Sequence, residues 1–247
     1  MPELLAPAGN FEKMRMAFHY GADAVYLAGQ AFGMRAAADN FTIEELQQAV
    51  AYAHQRNKRV YITVNVMPRG YEYAALRAYL STLRSVAPDA LIVADLGVLE
   101  LAKEVLPQVS LHISTQANIV SAAACRAYYN LGAKRVVLGR ELTLNEIREI
   151  RKEVPPDLEL EAFIHGSMCI SYSGRCLLSG FFTGRDANRG ACTQPCRWNY
   201  HISRCEITEE KRPEISLPLE EVNGETFVMS SNDTSMIEHM SDLMESG

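Results

Sequence analysis

Short runs of apolar and β-branched residues alternate along the first two-thirds of the chain with longer stretches whose apolar positions recur at helical spacing. The runs are Leu4 to Ala8, Ala24 to Ala28, Val60 to Val66, Ala90 to Ala94, Leu111 to Ser114, Arg135 to Gly139 and Leu158 to Ile164. Between them, helical patterns cover Phe11 to Tyr20, Thr42 to Arg56, Tyr71 to Ser85, Gly97 to Leu106, Ser121 to Leu131 and Thr143 to Lys152. Asn10 stands where it caps the first helix, and Thr42-x-x-Glu45 has the form of a capping box opening the second. Strands that alternate with helices pair in parallel through right-handed crossovers. With Thr226 to Ser230 as an eighth strand, the pattern predicts a TIM-like (β/α)8 barrel, distorted or incomplete, with a cysteine-rich insertion late in the barrel. An open doubly wound sheet is the alternative. The lack of a GxGxxG turn after the first strand weighs against a nucleotide-binding version of it.

Length and composition agree with this architecture. A chain of 247 residues, 48% hydrophobic, suits one barrel domain over residues 1–247, with the cysteine-rich segment at 166–205. From Ile202 to Glu225 the pattern weakens into charged residues with Pro213 and Pro218, an excursion before the last strand. The net charge of −6 argues against generic nucleic-acid binding, which rests on Lys and Arg neutralising phosphates. A local basic patch is still present in sequence, because Arg175, Arg185, Arg189, Arg197 and Arg204 surround the cysteines. No apolar run approaches the ~18 residues needed to span a bilayer, and no basic leader opens the chain. The expectation is a cytoplasmic protein without a membrane segment.

Four of the six cysteines, Cys169, Cys176, Cys192 and Cys196, fall in one stretch rich in Gly and Arg. In a compartment where thiols stay reduced, this favours metal binding or redox chemistry over disulfides. Structural zinc sites usually show two close Cys pairs; here the first two cysteines are seven residues apart, and Cys192 and Cys196 form the one close pair. Thiolates from an irregular, Gly-rich segment suit an iron–sulfur cluster, whose sulfurs accept main-chain N–H groups. A set of unrelated core thiols is the plainer alternative. Cys125, in an Ala-rich helical stretch, reads as core, and Cys205 as a spare thiol.

In a barrel, chemistry gathers at the C-terminal ends of the strands. Asn65, Asp95, His112, Gln116, Arg140 and His165 lie at or just past such ends. Asp95 or Glu161 would serve as a general base, although Asp95 before Gly97 also reads as a helix cap. Arg35 or Arg140 would grip a carboxylate through paired N–H donors. Protease machinery is sparse: there is no HExxH helix and no GxSxG elbow, and Cys169 beside His165 or His112 is the candidate thiol–base pair.

Several stretches carry a resemblance. Glu161-x-Phe163-x-x-Gly166-Ser167-Met168-Cys169, followed by Gly174-x-Cys176-x-Leu178-Ser179, resembles the signature of the peptidase U32 family, the collagenase-like proteins. Asp186-x-Asn188-x-Gly190-x-Cys192-Thr193-x-x-Cys196-Arg197-Trp198 is similar to the branch containing the bacterial RNA hydroxylation proteins. Glu3-Leu4-Leu5-Ala6-Pro7-Ala8-Gly9 and Gly21-Ala22-Asp23-Ala24-Val25-Tyr26 extend the likeness over nearly the whole chain. The resemblance implies oxygen-independent hydroxylation of RNA, of the tRNA wobble-uridine type, with prephenate as co-substrate and hydroxyl source. It implies a 4Fe-4S cluster, sensitive to air, on Cys169, Cys176, Cys192 and Cys196. Glu161, His165 and Asp95 are then candidate catalytic residues, and Arg35, Asn65, Gln116 and Arg140 candidates for binding a small dicarboxylate.

The implied partners are tRNA or another structured RNA and, as in the anaerobic ubiquinone hydroxylation relatives, a sister protein subunit. A U32-type endopeptidase, or a cluster-carrying subunit of such a quinone complex, is the alternative function. Some relatives carry a cysteine where this chain has Ser235, which leaves Cys196, or else Cys205, as the fourth ligand. Family members commonly continue past Gly247, so the chain reads as truncated or as a short form.

Overall fold

A computed structural model describes residues 2–34, 40–198, 207–209, 212–217, 221–222, 225–226 and 234–245. Seven strands, β1 (Leu5–Pro7), β2 (Ala24–Ala28), β3 (Arg59–Val64), β4 (Ala90–Val93), β5 (Ser110–Ile113), β6 (Arg135–Val137) and β7 (Glu159–Glu161), form one sheet in sequence order. Every pairing in it is parallel. Six helices connect them: α1 (Phe11–His19), α2 (Ile43–His54), α3 (Tyr73–Val86), α4 (Leu96–Val105), α5 (Ala122–Asn130) and α6 (Leu144–Glu153). The expected alternation is therefore present, with ends shifted by a few residues.

The helices start where side chains satisfy the first free N–H groups. Asn10 accepts from Lys13, Asp95 from Val98 and Ser121 from Ala124. Thr42 with Glu45, and Thr143 with Glu146, close full capping boxes. Outward-facing strand residues such as Val60, Ile62, Leu91 and Val93 pack with Leu46, Leu76, Leu80, Leu83 and Leu99 of the helices to form the main core. The inward-facing layer is smaller, made of Ala24, Tyr61, Ala90 and Ile92 against Leu5 and Tyr26.

The sheet does not close by pairing β7 with β1. Thr226, where the expected eighth strand at 226–230 opens, is not in it. Thr226 belongs to β12 (Glu225–Thr226), which pairs antiparallel with β11 (Glu221–Val222), and residues 227–230 lie outside the described residues. The predicted barrel is accordingly an incomplete one. Two other short antiparallel pairs follow β7: β8 (His165–Gly166) with β13 (Thr234–Ser235), and β9 (Ile207–Glu209) with β10 (Arg212–Leu217).

The two ends of the sheet are instead bridged by charge. Arg135, 6% exposed, donates to Glu3 just before β1 at 2.7 Å and to Glu161 at 3.3 Å. It also holds Glu159 through both Nε and Nη2, at 2.7 and 2.6 Å. Glu3 in turn accepts from Tyr61 at 2.8 Å and from Arg59 at 2.9 Å. Burial works against the Arg135 charge, but these carboxylates outweigh it and raise its pKa above the ordinary value. Removing one member of a buried ion network leaves its partners unpaired in low dielectric and costs about 3–5 kcal/mol. Arg135→Ala should therefore lower the thermal midpoint by roughly 6–20 °C, at about 2–4 °C per kcal/mol for a chain of this size. Calorimetry that found an unchanged midpoint would remove the network from the account of stability.

Candidate metal centre at the barrel mouth

Past β7 the chain turns through β8 and runs across the C-terminal end of the sheet. The segment is poor in regular structure, with α7 (Leu178–Thr183) its one α-helix and single 3-10 turns at Ala187–Arg189 and Pro195–Arg197. Two glycines let it lie directly on the loops below. At Gly174 (φ +73°) a Cβ would stand 2.3 Å from the carbonyl oxygen of Gln116, in the loop after β5. At Gly190 (φ +82°) it would stand 2.9 Å from the carbonyl oxygen of Gly33, in the loop after β2. Either position excludes a side chain both by space and by its left-handed backbone.

Polar contacts complete the attachment. Arg140, after β6, donates to the Ser167 carbonyl at 2.9 Å and to Ser173 Oγ at 2.8 Å. Arg189 meets Glu72 at 2.6 Å and Arg69 meets Asp186 at 3.8 Å, so the loop after β3 is clasped at two points. Arg197 donates to the Met168 carbonyl, and Trp198 Nε1 to the Thr193 carbonyl at 3.0 Å.

This path carries the other three clustered cysteines into the neighbourhood of Cys196. Cys169 and Cys192 are exposed; Cys176 and Cys196 are half-buried. Burial raises the Cys196 thiol above its ordinary pKa, and charges on Cys169, Cys192 and Cys176 push the same way while Arg197 opposes them. Cys169, Cys176 and Cys192 are thus each within electrostatic reach of Cys196. They are not drawn into contact: among the described residues no three His, Cys, Asp or Glu side chains are close enough to hold a metal ion as they stand. The Gln194 N–H donates to Cys192 Sγ at 3.3 Å, and Asn188 Nδ2 holds the Cys176 carbonyl at 3.2 Å. Soft donors on an irregular backbone with an N–H aimed at sulfur fit an iron–sulfur cluster, and binding it would draw the thiols inward. Cys125 is buried on α5, where burial pushes its thiol up to about 11. It belongs to the main core, as expected. Cys205 lies outside the described residues.

The other singled-out residues divide by position. Asn65 accepts from the Met34 N–H at 3.2 Å and donates to Ser114 Oγ at 3.4 Å, tying the loops after β2, β3 and β5. Gln116 lies under Gly174. Arg140 faces the segment, its guanidinium 5.5 Å from the Phe163 ring centre and its buried Nε without a partner among the described residues. His165 is exposed on β8, opposite Ser235, and Cys169 lies three residues past the end of that strand. Glu161 points inward, and its carboxyl is raised by burial although Arg135 opposes the shift. Asp95 caps α4 and accepts from Tyr73 at 3.0 Å. Arg35 lies outside the described residues.

Sequence reasoning missed the Glu3–Arg135 network. Its signal was a charged residue opening the otherwise apolar run Arg135 to Gly139.

The family model described as Peptidase family U32 matches residues 9–247. The chain belongs to peptidase family U32. Among its U32 relatives, tRNA hydroxylation protein P1 of Bacillus subtilis is 43% identical over 246 residues, covering 100% of this chain and 56% of that protein. tRNA hydroxylation protein P of Escherichia coli is 45% identical over 204 residues, covering 81% and 44%. The chain thus spans about half the length of these relatives. A solved U32 peptidase structure superposes with a TM-score of 0.58 at 18% identity, over 68% of this chain and 70% of that one, a likeness of fold. No helix among the described residues is long and apolar enough to cross a membrane.

The inward-facing His112 generates a test. It is 4% exposed, its Nδ1 has no partner among the described residues, and its ring meets Tyr61 edge-on at 4.7 Å. Burial, then the charges of Arg135 and Arg59, push its pKa down to about 3. Below the unfolded value of about 6.5, the unfolded chain takes up a proton that the folded chain refuses, so stability falls as pH drops from there toward 3. By pH 5 the loss from this group is roughly 2 kcal/mol, at about 1.36 kcal/mol per pH unit. Urea titrations of His112→Gln should show a flatter loss of stability over that range; an acid slope equal to wild type would contradict a buried neutral imidazole.

Proposed function

We propose that this chain is the cluster-bearing part of an RNA-modifying enzyme that hydroxylates uridine in tRNA without molecular oxygen, in the cytoplasm, where thiols stay reduced. The observation that carries the reading is the gathering of Cys169, Cys176, Cys192 and Cys196 over the barrel mouth, in a chain 43% identical to a protein named for tRNA hydroxylation. These four residues would hold a 4Fe-4S cluster. Such a group supplies one-electron redox or Lewis-acid chemistry at its exposed edge.

The chain's own residues do the rest. Arg140, pinned to Ser167 and Ser173, sets the height of the segment over the mouth, and its buried Nε leaves one donor for an acid ligand. We assign the small dicarboxylate, prephenate by resemblance, to this side of the mouth, with Arg35, Asn65 and Gln116 as its other candidate contacts. Glu161, its carboxyl raised by burial, is suited to hold a proton beneath the ligand, and exposed His165 to exchange one with solvent. Asp95, already engaged by α4 and Tyr73, positions the loop after β4. A cysteine committed to iron is not a free nucleophile, so this reading and a Cys169 peptidase exclude each other.

The test is nucleoside composition. A host lacking its own tRNA hydroxylation proteins should regain 5-hydroxyuridine-type nucleosides, read by mass spectrometry of digested tRNA, when it expresses this chain. Each of Cys169→Ser, Cys176→Ser, Cys192→Ser and Cys196→Ser should lose at least about 90% of that signal. Unmodified tRNA from cells holding the folded protein, together with gelatin cleavage that depends on Cys169, would overturn the proposal.

A further inference from the structure

Beside Cys176 the surface opens into a cavity of about 400 Å3, a size typical of ligand pockets. Met67, Pro68 and Leu177 give it apolar walls, and Arg69, Asp186, Arg189 and Asn188 give it polar ones, with Arg69 paired to Asp186 and Arg189 to Glu72. Large side chains stand in it or next to its lining residues and are left to water: Leu177, in the lining, is 77% exposed, Tyr71, bonded to the lining Arg189, 80%, and Phe181, next in the chain to the lining Gly180, 83%. Leu177, Gly180 and Gly184, from the two caps and the middle of the α7 turn, border the cavity, and Phe181 follows Gly180 on that turn. From Phe181 a strip of rings continues across the segment. Phe182 meets Phe181 edge-on at 5.3 Å, and Trp198 follows at 5.9 Å, its indole fixed by the bond to Thr193.

Charge selects the occupant. The chain as a whole is acidic at −6, yet between His165 and Trp198 it has four arginines and a single acidic residue, Asp186. Arg175 and Arg185 are exposed, and neither pairs with a carboxylate among the described residues. Exposed rings in a segment rich in arginine have the composition of the stacking platform that single-stranded nucleic acid uses: bases stack on the rings, and phosphates meet the cations. A cavity next to such a platform accepts one base turned out of its stack.

We infer that Phe181, Phe182, Trp198 and Tyr71 bind unpaired nucleotides of an RNA loop, and that the cavity beside Cys176 receives one extruded base. This rests on the RNA-modifying function proposed above and adds where the RNA sits. Arg185 contacts the backbone of the same loop. Double-stranded RNA, with its bases stacked inside the helix, is excluded from this surface.

The experiment is fluorescence anisotropy with the chain purified without air, against a labelled RNA stem-loop and a fully paired duplex of the same composition. The stem-loop should bind more tightly. Phe181→Leu keeps apolar bulk without a ring and should weaken stem-loop binding about tenfold, the order expected for one lost base–aromatic stack. Phe181→Tyr should bind as wild type, and Arg185→Gln should reduce the salt slope by about 0.7. Equal binding of stem-loop and duplex, or a Phe181→Leu variant that binds as wild type, would overturn the inference. So would preferential binding of a protein segment of the longer relatives to this strip, insensitive to competing stem-loop. Iron counted in the same samples separates the two levels: a protein that keeps its iron but fails these tests loses only the placement of RNA, whereas one that binds RNA through Phe181 without iron loses the proposed chemistry.

Discussion

The structure depends on a buried guanidinium. Seven parallel strands curl without closing, and the inward face of the last two carries Arg135, Glu159 and Glu161 where a closed barrel would place apolar side chains. Arg135 is worth its burial because three carboxylates surround it, and one of them, Glu3, belongs to the opposite end of the sheet. A contact between residues 132 apart in sequence thereby substitutes for the missing strand pairing. The Arg135 charge adds to the burial that keeps His112 neutral and opposes the burial that raises Glu161, so both groups in the interior below the mouth feel it.

Above that interior, the cysteine segment behaves as a lid of fixed position rather than a loop. Gly174 and Gly190 bring its backbone against the loops after β5 and β2, and Arg140, Arg189 and Arg69 anchor it to the loops after β6 and β3. The attachments surround the thiols without including them. Under the proposed function, that division would leave the thiols to be drawn together by the metal centre they are proposed to hold.

Much of this was legible in the sequence, for physical reasons that differ by element. Strands β1 to β7 and helices α1 to α6 follow from hydrophobic periodicity and from caps such as Thr42 with Glu45, which are local properties. The sequence drew attention to the thiol set because four cysteines among so many glycines have few structural uses, and its role as a ligand set belongs to the proposed function. An eighth strand was read at Thr226 to Ser230 from strand composition, and composition does not say which sheet a strand joins; Thr226 pairs in a separate hairpin, and residues 227–230 lie outside the described residues. The Glu3–Arg135 bridge and the Arg189–Glu72 clasp were not legible, since each joins residues more than 100 apart. Asn65 and Asp95, marked by their place at strand ends, prove to hold loops and a helix start.

The central claim is that four thiols on this segment form one iron–sulfur site. The direct measurement is iron and acid-labile sulfide per chain after purification without air, repeated on the four single Cys→Ser variants. The account predicts near four of each in the wild type, falling sharply in every variant, while Cys125→Ser retains them. A folded, carefully anaerobic wild-type sample with no iron would contradict it.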